Sequence, residues 1–277
     1  MNESELRERV ASFPRWHYEF DLNGVRTPIF NRAHANRHAQ RKRYFFEPLV
    51  QLCGGSLAGK RVLDLGCNAG FWSLAAIEAG ADFVLGVDGR RMHVDQASLV
   101  FEAKGVDPGR FRFELGDAFA IDVAGEAPFD VVLCLGLLYH VSKPVDLLER
   151  IASWNDDVLV VDTTLDPRPG PYFRLRRQDL DDPRAAVDRP VALHPSKEAV
   201  AWLAHEFGYR NVTMLRPRFT SWEGSAPYRD GKRRAFVCAK KTELEGLDAE
   251  PIRVSRRRRL ARRAAGAVRV RRPRAGS

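Results

Sequence analysis

The chain has 277 residues, 44% of them hydrophobic, and a formal net charge of +9. That length supports one large core, or one core with a small appendage, and no apolar run approaches the length needed to span a bilayer. The charge is localised: residues 251–277 hold eleven arginines and no acid, leaving 34 basic against 36 acidic side chains elsewhere, a balance of −2. Attraction to a polyanion therefore rests on that tail, which has no aromatic residue to stack on bases and offers charge without readout. Cys53, Cys67, Cys134 and Cys238 lie far apart with no Cys-x-x-Cys pair, so neither a disulfide framework nor a zinc site is expected. Residues 1–10 are mostly charged and polar and lack the apolar segment of a secretion signal, so the expected compartment is the cytoplasm and no membrane contact is expected.

Residues 1–59 read as an N-terminal extension, helical near 3–12 and again from about 36 to 51. Residues 31–43 are dense in Arg and His, which suits either a substrate-facing surface or a solvated helix. A unit over 60–245 follows, with strands expected at 61–65, 83–87, 111–114, 131–135 and 158–162 and helices near 71–79, 92–104, 144–153 and 197–207. Short apolar strands alternating with amphipathic helices predict a parallel sheet covered on both faces. Residues 166–195 hold six prolines among many Arg and Asp residues and read as a long loop or lid. Ser196 caps the next helix. Strands at 212–215 and 235–240 complete a Rossmann-like, doubly wound, mainly parallel seven-stranded α/β sheet whose final strand is antiparallel. Residues 246–277 form an Arg-rich tail, expected to be disordered without a partner.

The chemistry concentrates in residues 62–88, a buried strand, a glycine turn, a helix and a second buried strand ending on Asp88. Such a crossover opens a crevice at the strand ends where a nucleoside-bearing ligand can bind, with Asp88 placed to accept from two ribose hydroxyls. The turn Gly66-Cys-Asn68-Ala-Gly70 does not meet the Gly-x-Gly-x-x-Gly spacing of a dinucleotide site, and no Gly-Lys-Ser/Thr follows as a phosphate loop would require. The run Asp64-Leu-Gly66-Cys-Asn68-Ala-Gly70 resembles the first motif of class I S-adenosylmethionine-dependent methyltransferases. The resemblance implies that Asp64 and the glycine loop face the methionine part of that cofactor and that Asp88 holds its ribose. Position 68 is commonly glycine in that family; Asn tolerates positive φ better than most residues with a side chain. After the third strand, Gly116-Asp117-Ala118 implies an acid that accepts from the adenine amino group, or else a turn aspartate capping a short helix.

Residues 130–144 deliver Gly136, Tyr139 and His140 to a strand end, with Pro144 suited to open the next helix. A histidine there is a candidate general base, a fixed hydrogen-bond donor or a packing residue. Gly136-Leu-Leu-Tyr-His140 with Lys143-Pro144 resembles the bacterial tRNA wobble-uridine (5-methoxyuridine-34 methyl or carboxymethyl) transferase family. His194-Pro-Ser196, Trp202-Leu203, Phe207-Gly208-Tyr209 and Lys232-Arg-Arg234-Ala235 match it too. The resemblance implies that Tyr139 and Arg234 engage the extra carboxylate of a carboxy-S-adenosylmethionine. The family's tryptophan and nearby lysine, which share that contact, are not paired here: Trp16 and Lys42 stand far apart. Losing such a charge-assisted bond costs roughly 1.5–3 kcal/mol, so plain S-adenosylmethionine is the favoured cofactor. The expected activity is methyl transfer to a hydroxyl-type acceptor, with His140 and Tyr139 as catalytic residues and wobble uridine of tRNA as one candidate acceptor. A small-molecule methyltransferase of the same fold and a non-catalytic cofactor- or RNA-binding module remain the alternatives.

Overall fold

The computed structural model of the protein describes residues 1–123, 125–178 and 190–252. The chain enters through α1 (Glu3–Ser12), whose N-terminus is capped by Asn2 accepting the Glu5 amide, and a small hairpin of β1 (Asp21–Leu22) and β2 (Val25–Arg26). Next, α2 (Arg32–Arg41), capped by Asn31, runs through a π-helical turn at Lys42–Phe46 into α3 (Glu47–Leu52). The helix expected over 36–51 is thus one continuous rod with a widened turn in its middle.

The alternating unit then comprises β3 (Arg61–Leu65), α4 (Phe71–Glu78), β4 (Phe83–Asp88), α5 (Arg91–Ala103), β5 (Phe111–Leu115), β6 (Phe129–Leu135), α6 (Pro144–Trp154) and β7 (Asn155–Thr164). After it come β8 (Phe173–Arg177), β9 (Val191–Pro195), α7 (Lys197–Glu206), β10 (Asn211–Leu215), α8 (Ala226–Arg229), β11 (Arg233–Ala239) and β12 (Ala249–Glu250). The main sheet has the order β12-β10-β11-β7-β6-β3-β4-β5. Strands β3 to β7 are mutually parallel, and β11 is antiparallel to both β7 and β10. The seven expected strands are present with the antiparallel strand where it was read. An eighth, Ala249–Glu250, pairs with β10 just beyond the expected sheet boundary at 245.

Two expectations need correction. The stretch 166–195 is not simply a loop: Phe173–Arg177 and Val191–Pro195 pair as an antiparallel hairpin, and residues 179–189 lie outside the described residues. Pro195 is tolerated because it ends its strand, where its carbonyl accepts the Asp166 amide. The disorder expected of the tail falls on 253–277, also outside the described residues, whereas 249–250 belong to the sheet.

Strand alternation divides the core into two faces. Leu63, Leu85, Val132, Leu159 and Val161 pack with Leu148 of α6 and Leu203 of α7. On the other face Val62, Val160, Ala235 and Val237 pack with Trp16, Tyr18, Phe20, Phe45 and Phe46. Residues 1–59, expected as an extension, therefore share one hydrophobic core with the sheet. Among the described residues no helix is long and apolar enough to cross a membrane.

The N-terminal layer carries a pH dependence. His38 is buried against Tyr18, His17 and Phe71, with ring centroids 4.3, 5.1 and 5.7 Å away. Neither of its ring nitrogens has a hydrogen-bond partner among the described residues. Burial, reinforced by His17 and Arg41, holds its pKa well below the ordinary 6.5. The unfolded chain therefore binds a proton near pH 6 that the folded chain refuses. Its contribution is fully present above about pH 6.5 and is lost as pH falls toward the depressed folded value. Urea unfolding between pH 7.5 and 5.5 should show stability falling by up to about 1.4 kcal/mol per pH unit from this group. His38→Phe should flatten that slope, and an unchanged slope would refute the assignment.

Candidate active site

At the C-terminal edge of the sheet a cavity of about 480 Å³ opens where the chain reverses direction across the sheet, between β3 and β6. That volume suits a small-molecule site. The glycine turn after β3 forms part of its wall. The amides of Gly66 and Cys67 both donate to the Val87 carbonyl, at 2.8 and 3.0 Å, which ties the turn to β4. Asn68 adopts φ +50°, as its residue type allows, and its side chain accepts the Ala69 amide. Gly66 and Asn68 line the cavity; Gly70 does not, and a side chain there would press on Ala97, Phe113 and Phe101 at the start of α4. Asp64 is also absent from the lining. It lies buried behind the turn, accepting from Ser73 Oγ at 2.7 Å, with its Oδ1 unpartnered among the described residues. Burial, only partly offset by Ser73, pushes its carboxyl up to about 7.

Asp88 faces the cavity from the end of β4. Its Oδ2 accepts the Asn68 amide at 2.9 Å, and its Oδ1 accepts the Arg90 amide and faces His93 Nδ1 at 3.0 Å. Three of its roughly four acceptor positions are thereby used to orient it. Asp117 also lines the cavity while accepting the Phe119 amide, as a turn aspartate does.

Gly136, Tyr139 and His140 reach the cavity from the end of β6. Gly136 has φ +93°, and a side chain there would press within 3.2 Å of Arg233. Tyr139 packs against His140, ring centroids 4.0 Å apart, and its hydroxyl accepts from Arg233 Nη1 at 3.3 Å. His140 Nδ1 is hydrogen-bonded to Gln178 Oε1, and Gln178 Nε2 donates in turn to the His140 and Val191 carbonyls. Because a carbonyl oxygen only accepts, Nδ1 is the donor in this pair, so Nε2 is the nitrogen that can act as a base when the ring is neutral.

Arg234 is not brought to this site. Its guanidinium points to Glu250 of β12, at 3.1 Å, and to the Tyr228 carbonyl. Neighbours on a strand face opposite ways, and it is Arg233, in step with Ala235 and Val237, that lies on the cavity side. Arg233 and Arg41 both pair with Asp162, at 2.8 and 2.7 Å, and Tyr228 donates to the same carboxylate. Asp162 is fully buried. Burial alone would raise its pKa, but Arg233 and Arg41 hold it below the ordinary carboxylate value. Lys42 is turned away toward Glu78, at 3.7 Å. Sequence reasoning also missed His17, Tyr18, Arg37, Arg41 and His93, which line the cavity. The Arg/His density at 31–43 was the only signal for the first wall, and it did not say which way the helix faced.

Residues 36–214 match the family model described as a methyltransferase domain. The chain belongs to that family. A tRNA U34 carboxymethyltransferase of Geobacter sp. (strain M21) is 38% identical over 60% of this chain and 50% of its own length. A ubiquinone biosynthesis O-methyltransferase of Bordetella avium is 36% identical over 38% of this chain and 42% of its own. The chain spans about half the length of the curated relatives it matches. Among solved structures, the N-terminal domain of EvdMO1, determined in the presence of SAH and D-fucose, covers 90% of this chain and 98% of its own with a TM-score of 0.65 at 21% identity. The methyltransferase resemblance and the Rossmann-like fold read from the sequence are both borne out.

The Asp162 cluster gives a direct test. Asp162→Asn would leave two buried guanidinium groups without their counter-charge, a loss of about 3–5 kcal/mol. Chemical unfolding at pH 7 measures it, and a loss below about 1 kcal/mol would mean that the cluster is not the anchor described.

Proposed function

We propose that the protein is an S-adenosylmethionine-dependent methyltransferase acting on an oxygen nucleophile. The observation that carries this reading is the convergence, in one cavity at the sheet's reversal point, of the Gly66–Asn68 turn, Asp88 and Asp117 with Tyr139 and His140. The donor set suits the cofactor. Asp88 has acceptor capacity left for a ribose hydroxyl, and Asp117 lines the same cavity with a carboxylate that would accept from an adenine amino group. When bound, the cofactor supplies a methyl group on a sulfonium, whose leaving group is a neutral thioether. The protein's contribution is then to hold the acceptor oxygen in line and to remove its proton. His140, fixed by Gln178 with Nε2 basic, serves as the base. Tyr139, whose oxygen accepts from Arg233, directs its own proton elsewhere and orients the acceptor.

The names of the relatives support an oxygen acceptor through the ubiquinone biosynthesis O-methyltransferases and bring wobble uridine of tRNA in as a second candidate. Plain S-adenosylmethionine remains the favoured donor, since Lys42 faces Glu78.

The test uses the full chain with methyl-labelled S-adenosylmethionine and, separately, total tRNA and the small-molecule fraction of a cell extract. Label should enter one fraction, and which one names the acceptor class. His140→Ala should lower turnover by about 10²–10⁴ while S-adenosylhomocysteine binds within threefold of its normal affinity; full turnover would remove His140 as base. Asp88→Ala should weaken that binding at least tenfold. Binding without label in either fraction would identify a non-catalytic module, and no binding would end the cofactor reading.

A further inference from the structure

The cavity is divided by charge. Asp88 and Asp117 stand at the ends of β4 and β5, whereas Arg233 opens β11 on the same edge of the sheet. Strands β3, β6 and β7 lie between β4 and β11. Four strand spacings separate the two ends, roughly 19 Å. Arg37 and Arg41, one helical turn apart on the same face of α2, join Arg233 at the basic end. Among the described residues Arg41 and Arg233 share one carboxylate, Asp162, and Arg37 stands beside them without an ion pair of its own.

That carboxylate is already committed. Arg41 and Arg233 are both paired to it, and Tyr228 fills further acceptor positions. Arg37 has no hydrogen bond or ion pair among the described residues, and its Nε is enclosed without a partner. Burial, with Arg41 and Arg233 beside it, lowers its pKa to about 10. A solvated surface arginine would swing away from two like charges, but Arg37 faces the cavity with them. A half-buried cation with no counter-charge among the described residues is costly, and it is retained at low cost only where an anion completes it. The planar guanidinium fork matches a carboxylate bidentately.

We propose that Arg37 is the receptor for a carboxylate brought into the basic end of the cavity, with Arg41 and Arg233, locked by Asp162, supplying the surrounding positive field. The inference rests on the reading above, in which the acidic end takes the nucleoside. The carboxylate has two sources: the amino-acid end of the cofactor or the acceptor itself.

Calorimetry on the full chain separates them. Wild type, Arg37→Gln and Arg37→Lys are each titrated with S-adenosylhomocysteine, with its decarboxylated analogue, and with 4-hydroxybenzoate as a probe carrying both a carboxylate and a hydroxyl. If the cofactor supplies the carboxylate, Arg37→Gln weakens S-adenosylhomocysteine at least tenfold and leaves the decarboxylated analogue within twofold. If the acceptor supplies it, both nucleosides bind normally and 4-hydroxybenzoate loses at least tenfold. Arg37→Lys, which keeps the charge without the fork, should fall between wild type and Arg37→Gln. The ligand-free Arg37→Gln protein should melt at or above the wild-type temperature, as expected when an uncompensated charge is removed, and this also shows that it folds. Affinities within twofold of wild type for all three probes would overturn the proposal. Failure of the wild type to bind S-adenosylhomocysteine would instead overturn the cofactor reading, and 4-hydroxybenzoate titrated alone would still report on Arg37.

Discussion

Asp162 sits at the end of β7 with no exposure to solvent, and four groups converge around it. Arg41 comes from α2, Tyr228 from α8, and Arg233 from the antiparallel strand; each donates to its carboxylate, while the Asp162 carbonyl accepts the Gly136 amide. A buried carboxylate is tolerated only when its partners are themselves held in place. Here the partners are held by the sheet, by the N-terminal layer and by each other. The same contacts place Arg41 and Arg233 in the cavity wall and position Gly136 at the turn that carries Tyr139 and His140. The N-terminal layer, the last strand and the reactive turn are thus tied together through one side chain.

At the other end of the cavity the organisation is local. Asn68, Arg90 and His93 all lie within 25 residues of one another and all contact Asp88, so this corner is assembled by one βαβ crossover. The positive φ of Asn68 turns its amide toward Asp88, a geometry that glycine also reaches but that few other residues do. The contrast with the Asp162 cluster is one of sequence range: short contacts shape the acidic end and contacts spanning up to 121 residues shape the basic end.

This difference explains which features were legible in advance. Asp88, Gly66, Asn68, Asp117, Gly136, Tyr139 and His140 sit at strand ends, and strand ends can be located from apolar runs and glycines alone; all seven line the cavity. Asp64 and Gly70 belong to the same motif but act behind it, one as a buried acid and the other as a position where a side chain would press on its neighbours. The error at Arg234 is one of parity. Two consecutive arginines are indistinguishable in composition, and only the pairing of β11 with β7 determines which of them faces Asp162.

By itself the sequence determined the alternating strands and helices, the antiparallel last strand and the glycine turn with its terminal acid, because each follows from periodicity and spacing within a few tens of residues, while the methyltransferase family was legible only through the resemblance of its motifs. Only the tertiary structure decided that His17, Tyr18, Arg37 and Arg41 of the N-terminal layer line the cavity, that a π-helical turn joins α2 to α3, that 173–177 and 191–195 pair as a hairpin, and that Arg233 rather than Arg234 enters the site. Those outcomes depend on which faces meet across long stretches of chain. The physical reason is burial and charge pairing between distant segments, which no local pattern encodes.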